Sequence, residues 1–164
     1  MTPLLDIQNL HVTFKTDEGL VQAVNGVSLS VNPGETLGVV GESGCGKSVT
    51  SLAVMGLIPM PPGKIEQGRI LLEGTNLLDL SEKQYQQVRG NRISMIFQEP
   101  MTSLNPLHRI GRQIEEVLVL HDKASRKTAP DLTIAMLGKV RIPDPARRAR
   151  EFPHQLFGGM RQRV

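Results

Sequence analysis

The sequence has 164 residues, about the length of one domain, and 39% of them are apolar, which is enough for a globular core. Only 3% are aromatic, so the core must be mainly aliphatic. A single cysteine excludes a disulfide framework, and no apolar run approaches the ~20 residues of a membrane-spanning helix. Residues 101–164 carry 12 Lys and Arg against 6 Asp and Glu. No aromatic residues are interleaved with these charges, so the basic segment is better explained as solvated helix faces than as a nucleic-acid surface.

Two alternating segments open the sequence and predict an antiparallel pair of strands. Residues 5–14 and 20–31 place apolar side chains at every second position over much of their length, which is typical of half-buried strands. Between them, 16–19 reads Thr-Asp-Glu-Gly and indicates a turn. Asn-Pro-Gly-Glu at 32–35 ends the second segment. We therefore expect an antiparallel β layer before residue 36.

A glycine-rich stretch at 41–48 carries the strongest chemical signal. It reads Gly-Glu-Ser-Gly-Cys-Gly-Lys-Ser and matches the spacing G-x-x-x-x-G-K-[ST] at every fixed position. Its glycines permit a tight turn whose backbone N–H groups face phosphate oxygens; Lys47 can reach the β- and γ-phosphates, and the Ser48 hydroxyl can bind Mg²⁺. The candidate nucleotide-binding residues of this stretch are Gly41, Glu42, Ser43, Gly44, Cys45, Gly46, Lys47, Ser48 and Val49.

The segments on either side of this stretch agree with a phosphate-binding loop. Residues 36–40, Thr-Leu-Gly-Val-Val, predict a buried strand, and residues 47–58 predict a helix whose N-terminus faces the loop. The proline-rich segment 59–63 ends that helix. A strand, a loop and a helix in this order predict a nucleotide-binding α/β protein.

Further elements follow the proline-rich segment. Residues 69–74 predict a short strand and turn, and the capping box at 81–84 predicts the start of a helix. A second buried strand is predicted at 93–97, with Gln98 at its carboxyl end, where α/β proteins place ligand contacts. Helices are predicted, in chain order, at 82–89, 110–120, 131–140 and 146–151.

An acidic residue at the end of another apolar strand would complete the Mg²⁺ shell of a phosphate-loop enzyme. Glu73 and Asp79 follow short apolar runs, but turn and capping signals surround both, so we interpret them as a strand end and a helix approach. No apolar run after Gln98 ends in Asp. We therefore expect these 164 residues alone to bind ATP without hydrolysing it at an enzyme-like rate.

Three motifs in order resemble those of ABC transporter ATPases. Residues 156–162 read Leu-Phe-Gly-Gly-Met-Arg-Gln, similar to the family signature L-S-G-G-x-x-Q, and Gln98 stands where the family has its Q-loop. Phe14 stands where the family places an aromatic residue that stacks on adenine. The exact residues at 41–50, 97–106 and 152–156 resemble those of the bacterial oligopeptide, dipeptide and nickel importer ATPases.

The resemblance implies an α/β fold: a P-loop NTPase core with an N-terminal antiparallel β layer and a helical subdomain. The family draws several core strands from beyond the signature motif, so the core sheet is expected to be incomplete here. It also implies ATP and Mg²⁺ as cofactors, with Ser48 and Gln98 near the metal. The implied organisation is one ABC ATPase domain over 1–164, with a nucleotide-binding core at 1–100, a helical subdomain at 102–155 and the signature motif at 156–164.

The resemblance further implies a peripheral subunit on the cytoplasmic face of the bacterial inner membrane. Such a subunit couples ATP binding and hydrolysis to uptake of peptides or a related solute. Its partners would be transmembrane permease subunits, which the helical subdomain contacts, and indirectly an extracytoplasmic solute-binding protein. A second ABC ATPase subunit, identical or different, would pair with it head to tail. No nucleic-acid partner is expected.

Two departures from the family pattern bear on activity. Phe157 replaces the signature serine, whose hydroxyl would donate to the γ-phosphate bound by the partner. The second departure is that the sequence ends at Val164, directly after the signature motif. In the family, the Mg²⁺-shell Asp, the catalytic Glu and the switch His all follow that motif, so no catalytic residue is assigned. A truncated or degenerate module that binds ATP without turnover, and a nucleic-acid-associated ABC ATPase, stay open as alternatives. The candidate signature contacts with a partner's nucleotide are Phe157, Gly158, Gly159 and Gln162.

Overall fold

The computed structural model describes residues 2–98 and 103–164. The chain divides into two compact units, residues 1–89 and residues 90–164. The first unit contains a sheet and two helices, and the second contains helices and connecting turns. No helix of the described residues has the length and apolar character that crossing a membrane requires.

Four antiparallel strands form the sheet of the first unit in the order β2-β1-β3-β4. β1 and β2 form a hairpin that pairs Leu5 with Val31, and β3 lies on the other side of β1, where Gly63 pairs with Phe14. The predicted antiparallel β layer is confirmed, and the strand predicted at 69–74 begins earlier. The strand bounds are β1 Leu5–Thr16, β2 Gly19–Val31, β3 Gly63–Leu72 and β4 Thr75–Asn76.

A bulge near Asn9 determines which face of β1 is buried. The β1–β2 register shifts between Ile7 and Leu10, and Asn9 adopts a left-handed backbone with φ of 48°. The extra residue lets Leu10 follow Ile7 on the same face of the strand, and both side chains are buried. Gly68 on β3 faces this bulge, because a Cβ there would lie 2.7 Å from the Asn9 carbonyl oxygen.

Two helices, α1 Lys47–Val54 and α2 Glu82–Val88, complete the first unit. The predicted capping box of α2 is present, with the Ser81 backbone N–H donating to Gln84 Oε1 at 2.9 Å. This bond satisfies one of the donors that a helix start leaves unpaired.

The helix α1 ends four residues before the predicted boundary at 58. Gly56 adopts a φ of 59°, and its N–H donates to the Ala53 carbonyl oxygen at 3.0 Å. The Leu57 N–H donates to the Leu52 carbonyl oxygen at 2.9 Å. These two bonds form a Schellman motif, which requires the left-handed backbone that glycine adopts readily. The glycine therefore ends α1 before the prolines are reached.

The predicted buried strands at 36–40 and 93–97 are wrong for this structure. Apart from a single bridge residue, Ile93, neither segment is assigned to a strand. Val40 is 92% exposed and Ile96 is 88% exposed. An apolar run becomes a strand only when a neighbouring strand satisfies its backbone hydrogen bonds, and neither segment has such a neighbour among the described residues.

The described residues of the second unit form four α-helices, and three of them contribute side chains to one small core. The backbone approaches closely at Gly111, whose N–H donates to the Ala149 carbonyl oxygen at 2.8 Å. The predicted helices at 110–120 and 131–140 are confirmed, and the short basic helix is shorter than predicted. The helices are α3 Ile110–Leu120, α4 Ala129–Lys139, α5 Pro145–Arg148 and α6 Gly158–Arg161. The core residues are Ile110, Leu137, Ile142, Leu156 and Met160.

An ion-paired cluster holds the chain after α5. Arg148 Nη1 donates to Glu151 Oε2 at 2.8 Å, and Arg147 Nε lies 3.2 Å from Glu151 Oε1. The hydrogen bond from Arg148, and then the positive charges of both arginines, lower the pKa of Glu151 below its ordinary value. This stabilisation is therefore present above the unfolded-state pKa and is lost as the pH falls through the lowered folded-state pKa.

Glu151→Gln is accordingly expected to lower the free energy of unfolding at neutral pH. The difference from wild type should shrink as the pH falls below about 4, where the wild-type carboxylate also becomes protonated. Denaturant unfolding across this pH range measures the difference, with the exposed Glu116→Gln as the matched control. A destabilisation that does not depend on pH would contradict the ion-pair explanation.

Candidate nucleotide-binding site

The glycine-rich loop at 41–48 packs directly against the sheet where α1 begins. Gly44 and Gly46 have φ of 84° and 90°, values that residues with a Cβ rarely adopt. Gly46 is the N-cap of α1, and a Cβ on it would collide with the carbonyl oxygen of Ala23 on β2. The loop therefore requires glycine at 46 for both its conformation and its contact with the sheet.

A second irregularity of the hairpin explains this contact. The β1–β2 register passes from the pair Val12–Val24 to the pair Thr13–Gln22, so Ala23 has no partner on β1. A residue left out of the strand pairing in this way forms a β-bulge, and a bulge changes the direction of its backbone groups. Here the Ala23 carbonyl group faces Gly46. Ala23 was not predicted as a site residue, because the contact is made by its backbone and no side-chain pattern indicates it.

The Lys47 ammonium group lies against the main chain of the loop. Lys47 Nζ donates to the carbonyl oxygens of Gly41 at 2.7 Å and Glu42 at 2.6 Å, and it lies 3.3 Å from Cys45 Sγ. A Cβ at Gly41 would lie 2.6 Å from that sulfur atom, so the Cys45 side chain would have to rotate away. The loop and its lysine thus present a positive charge surrounded by backbone.

The N-terminus of α1 adds hydrogen-bond donors to this charge. The Thr50 N–H donates to the Gly46 carbonyl oxygen at 2.9 Å. The N–H groups of Lys47, Ser48 and Val49 precede that bond, so they have no helical acceptor four residues earlier. Ser48 is exposed, and its hydroxyl has no hydrogen-bond partner in the parts of the chain that the structure describes. These donors and the ammonium group fit the anionic oxygens of a phosphate.

Phe14 lies on the same hairpin as the loop contact. It is half-buried on β1 opposite Val21, and Ala23 is two residues further along β2, about 7 Å away at the usual rise per residue. A Cβ at Gly63 would lie 2.9 Å from Phe14 Cε1, so the ring covers that glycine. The predicted adenine contact at Phe14 stays a prediction.

The predicted metal-site residues do not come together in one described unit. Ser48 belongs to the first unit, and the exposed Gln98 belongs to the second. The rest of the predicted Q-loop segment at 99–102 lies outside the described residues. Within residues 2–98 and 103–164, no group of three or more His, Cys, Asp or Glu side chains is placed to hold a metal ion.

The two acidic candidates of the first unit occupy turns. Asp79 ends a 3-10 turn, Leu77–Asp79, and its Oδ2 accepts a hydrogen bond from Asn76 Nδ2 at 2.9 Å. Glu73 adopts a φ of 48° between β3 and β4. The interpretation of Glu73 as a strand end and of Asp79 as the approach to a helix is confirmed, because Glu73 follows β3 and Asp79 precedes α2.

The signature segment presents its glycines outward. Phe157 is the N-cap of α6 and is 74% exposed, while Leu156 and Met160 on either side are buried in the core. A Cβ added at Gly158 or Gly159 would meet nothing within 4 Å. The predicted helix opening at these glycines is confirmed, and Gln162 is the exposed C-cap.

Phe157→Ser is expected to leave stability within about 0.5 kcal/mol of wild type, because the ring is exposed. It should increase nucleotide-dependent association with a second ABC ATPase subunit, since the hydroxyl restores a donor and the bulky ring is removed. Sedimentation with and without Mg-ATP measures the association. Phe157→Ala separates the two causes, because it removes the ring without adding a donor. Equal association of the Ser and Phe forms would contradict the prediction.

The pattern of the family described as ABC transporter matches residues 24–164, which is most of the chain. The chain belongs to the ABC transporter family. Its fold is that of an ABC ATPase cassette, an α/β P-loop NTPase with an antiparallel sheet and helices, as predicted.

The curated relatives of this ABC protein include peptide-transport subunits. It is 54% identical over 164 residues to the oligopeptide transport ATP-binding protein OppD of Bacillus subtilis strain 168, covering 100% of this chain and 46% of the relative. It is 52% identical to the dipeptide transport ATP-binding protein DppD of the same organism, covering 100% of this chain and 49% of that relative. The chain thus spans about half the length of the curated relatives it matches.

Among solved structures, the chain is similar to the bacterial ABC transporter cassette MJ0796 in its dimeric form. The TM-score is 0.81 at 25% identity, covering 97% of this chain and 66% of the cassette. A post-hydrolysis dimer of the same cassette, bound to ADP and Pi, gives the same TM-score, identity and coverage.

Proposed function

We propose that the chain is the ATP-binding part of an importer ATPase that couples ATP binding and hydrolysis to uptake of peptides or a related solute. The phosphate loop carries this proposal, because it combines an ammonium group, N–H donors without helical acceptors and a glycine, Gly46, that leaves no room for a side chain against the sheet. The peptide class of the solute is supported by relatives that are oligopeptide and dipeptide transport ATP-binding proteins.

Different residues would contact the phosphate groups and the Mg²⁺ ion of the nucleotide. Lys47 would exchange the carbonyl oxygens of Gly41 and Glu42 for phosphate oxygens, which make stronger charge-assisted hydrogen bonds. The Ser48 hydroxyl would become a Mg²⁺ ligand, and Gln98 would join the metal shell. Bound ATP supplies the γ-phosphoryl group whose hydrolysis drives transport. The solved MJ0796 dimer bound to ADP and Pi supports nucleotide in this fold.

The first test is calorimetric titration of the purified chain with Mg-ATP, where saturable binding is expected. Phosphate release should stay far below about 1 s⁻¹, the low end of typical enzyme turnover. Turnover at that rate, abolished by Lys47→Ala, would show that a catalytic acid lies within these residues. Absence of nucleotide binding by a folded chain would contradict the proposed function.

Phe14→Ala is expected to weaken ATP binding about two- to tenfold, because an aromatic contact is worth about 0.5–1.5 kcal/mol beyond the area it buries. Binding of inorganic tripolyphosphate should change much less, since it has no base to stack. Calorimetry with both ligands makes the comparison within one variant. Equal losses for the two ligands would show that Phe14 supports the loop and does not contact adenine.

We further propose that a second ABC ATPase subunit pairs with this one and that permease subunits hold it at the cytoplasmic face of the bacterial membrane. A groove of about 590 Å³ in the second unit suits the permease contact. One acidic residue, Glu115, lines it, and its apolar lining includes Ile134 and Phe152. An amphipathic, acidic helix of the permease would match both its charge and its apolar surface. The basic residues that line the groove are His108, Arg109, Arg112 and Arg150.

The permease contact is tested by charge reversal in the groove. The double variant Arg109→Glu/Arg112→Glu is expected to abolish co-purification with candidate permease subunits while leaving ATP binding unchanged. The matched control is Arg126→Glu/Lys127→Glu, which reverses two exposed charges outside the groove. Equal loss in both double variants would indicate a general charge effect. If the wild-type chain bound to DNA and the Arg109→Glu/Arg112→Glu variant did not, a nucleic-acid partner would be favoured.

A further inference from the structure

Tyr85 of α2 and Arg89, the residue that caps the end of α2, hold the carboxyl end of the phosphate-loop helix α1. Tyr85 Oη donates to the Val54 carbonyl oxygen at 3.1 Å. Arg89 Nε donates to the Met55 carbonyl oxygen at 2.7 Å, and Arg89 Nη2 donates to the Gly56 carbonyl oxygen at 2.8 Å. Three consecutive carbonyl groups at the end of α1 therefore each receive a side-chain donor. Tyr85 and Arg89 are termed the α1 clamp.

The α1 clamp is itself fixed in position. Arg89 Nη1 donates to Glu82 Oε1 at 2.7 Å, and the guanidinium carbon lies 4.7 Å from the centroid of the Tyr85 ring. A Cβ at Gly56 would lie 2.7 Å from Tyr85 Cζ and 3.0 Å from Arg89 Nη2, so the backbone comes close only because a side chain is absent. A planar guanidinium can donate in these several directions at once, whereas a lysine ammonium is a single point.

The clamp acts on a short helix with the candidate phosphate donors at its other end. The eight residues of α1 make it about 12 Å long, and a helix of this length is marginal without outside contacts. At the N-terminus, Gly46 packs on Ala23 and Lys47 lies across the loop. A displacement at the carboxyl end of α1 therefore moves the N–H groups that would receive phosphate.

We propose that Arg89 is a positioning residue for the nucleotide: it fixes the carboxyl end of α1 and thereby aligns the phosphate donors at the N-terminal end. This inference rests on the proposed ATP-binding function. The charge of Arg89 does not explain the effect by itself, because it acts from about a helix length away, beyond the ~10 Å screening length in 0.1 M salt. The effect passes through the position of the helix.

Linkage supplies a second, independent consequence. If Arg89 raises the affinity for nucleotide by some factor, nucleotide must stabilise the clamped arrangement by the same factor. Mg-ATP is therefore expected to slow hydrogen exchange of the Gly56 and Leu57 amides, which donate to Ala53 and Leu52 at the end of α1. Arg89→Met should abolish this slowing at concentrations of Mg-ATP that saturate the variant.

The affinity test compares Arg89→Met and Arg89→Lys with Arg69→Met, a matched change at an exposed arginine on β3. Calorimetry with Mg-ATP and with tripolyphosphate is done at a temperature where circular dichroism shows every variant fully folded. Arg89→Met is expected to weaken both ligands about tenfold, in line with the loss of charge-assisted hydrogen bonds. Arg89→Lys should weaken them less, and Arg69→Met should bind as wild type does.

A folded Arg89→Met chain with wild-type affinity would overturn the inference, since a merely structural role leaves a folded site unchanged. Should Arg89→Met not fold, Arg89→Lys and Tyr85→Phe carry the same test, and wild-type affinity in both would overturn it. Loss of binding in Lys47→Ala with no change in the Arg89 variants would reject the inference alone. Absence of nucleotide binding by the wild-type chain would reject the proposed function and this inference together.

Discussion

Lys47→Ala is expected to lower the affinity for Mg-ATP about ten- to a hundredfold. Each charge-assisted hydrogen bond to a phosphate oxygen is worth about 1.5–3 kcal/mol, and alanine removes at least one such bond. The ammonium group already lies within the loop, where its acceptors are the carbonyl oxygens of Gly41 and Glu42. Calorimetric titration of the wild-type and variant chains measures the loss.

The control for this variant is Lys83→Ala, which removes an exposed lysine from α2. It matches the change in net charge and should leave the affinity unaltered. Circular dichroism without nucleotide should show both variants folded, because Lys47 and Lys83 are not part of the core. Equal affinity of the wild-type and Lys47→Ala chains would reject the assignment of the loop as a phosphate site.

Gly46→Ala is expected to abolish measurable nucleotide binding and to lower the free energy of unfolding by about 2 kcal/mol or more. A left-handed backbone at a residue with a Cβ costs about 1–3 kcal/mol. The new Cβ would also collide with the carbonyl oxygen of Ala23, so the start of α1 must move away from the sheet. Calorimetry and denaturant unfolding report the two effects separately.

Two other glycines separate the causes. Gly44 shares the left-handed backbone, with φ of 84°, but a Cβ there meets nothing within 4 Å, so Gly44→Ala should show the conformational cost alone. Gly38 has neither a positive φ nor a close neighbour, so Gly38→Ala should have little effect. If Gly46→Ala were no worse than Gly44→Ala, the contact with Ala23 would not matter.

The phosphate loop and the signature segment were predictable because their chemistry depends on contiguous spacing. Residues 41–48 carry glycine at 44 and 46, where the backbone is left-handed, and residues 156–162 carry the glycines that open α6. Both patterns are visible in the sequence alone. The antiparallel hairpin was predictable for a similar reason, since alternation of side chains along β1 and β2 is a local pattern.

The errors have two physical causes. Residues 36–40 and 93–97 have the composition of buried strands, but a strand depends on hydrogen bonds from a neighbour, and composition does not say whether that neighbour is present. The predicted end of α1 at 58 relied on the proline stop, whereas Gly56 had already reversed the backbone. Two helix stop signals compete here, Gly56 and the prolines from residue 59 on. Gly56 comes first and pairs the last carbonyl groups of α1, so the helix ends there.

The contacts that position the candidate site come from tertiary structure alone. Arg89 meets the carbonyl groups of α1 from 33 or 34 residues away, and the Ala23 carbonyl faces Gly46 because of a bulge in the β1–β2 register. Neither contact has a periodic or spaced signal, since both use backbone oxygens that every residue carries. The sequence by itself determined which type of site we propose, because glycine, lysine and serine at this spacing predict phosphate binding. The tertiary structure decided how that site is held, because only folding brings distant backbone groups within hydrogen-bond distance.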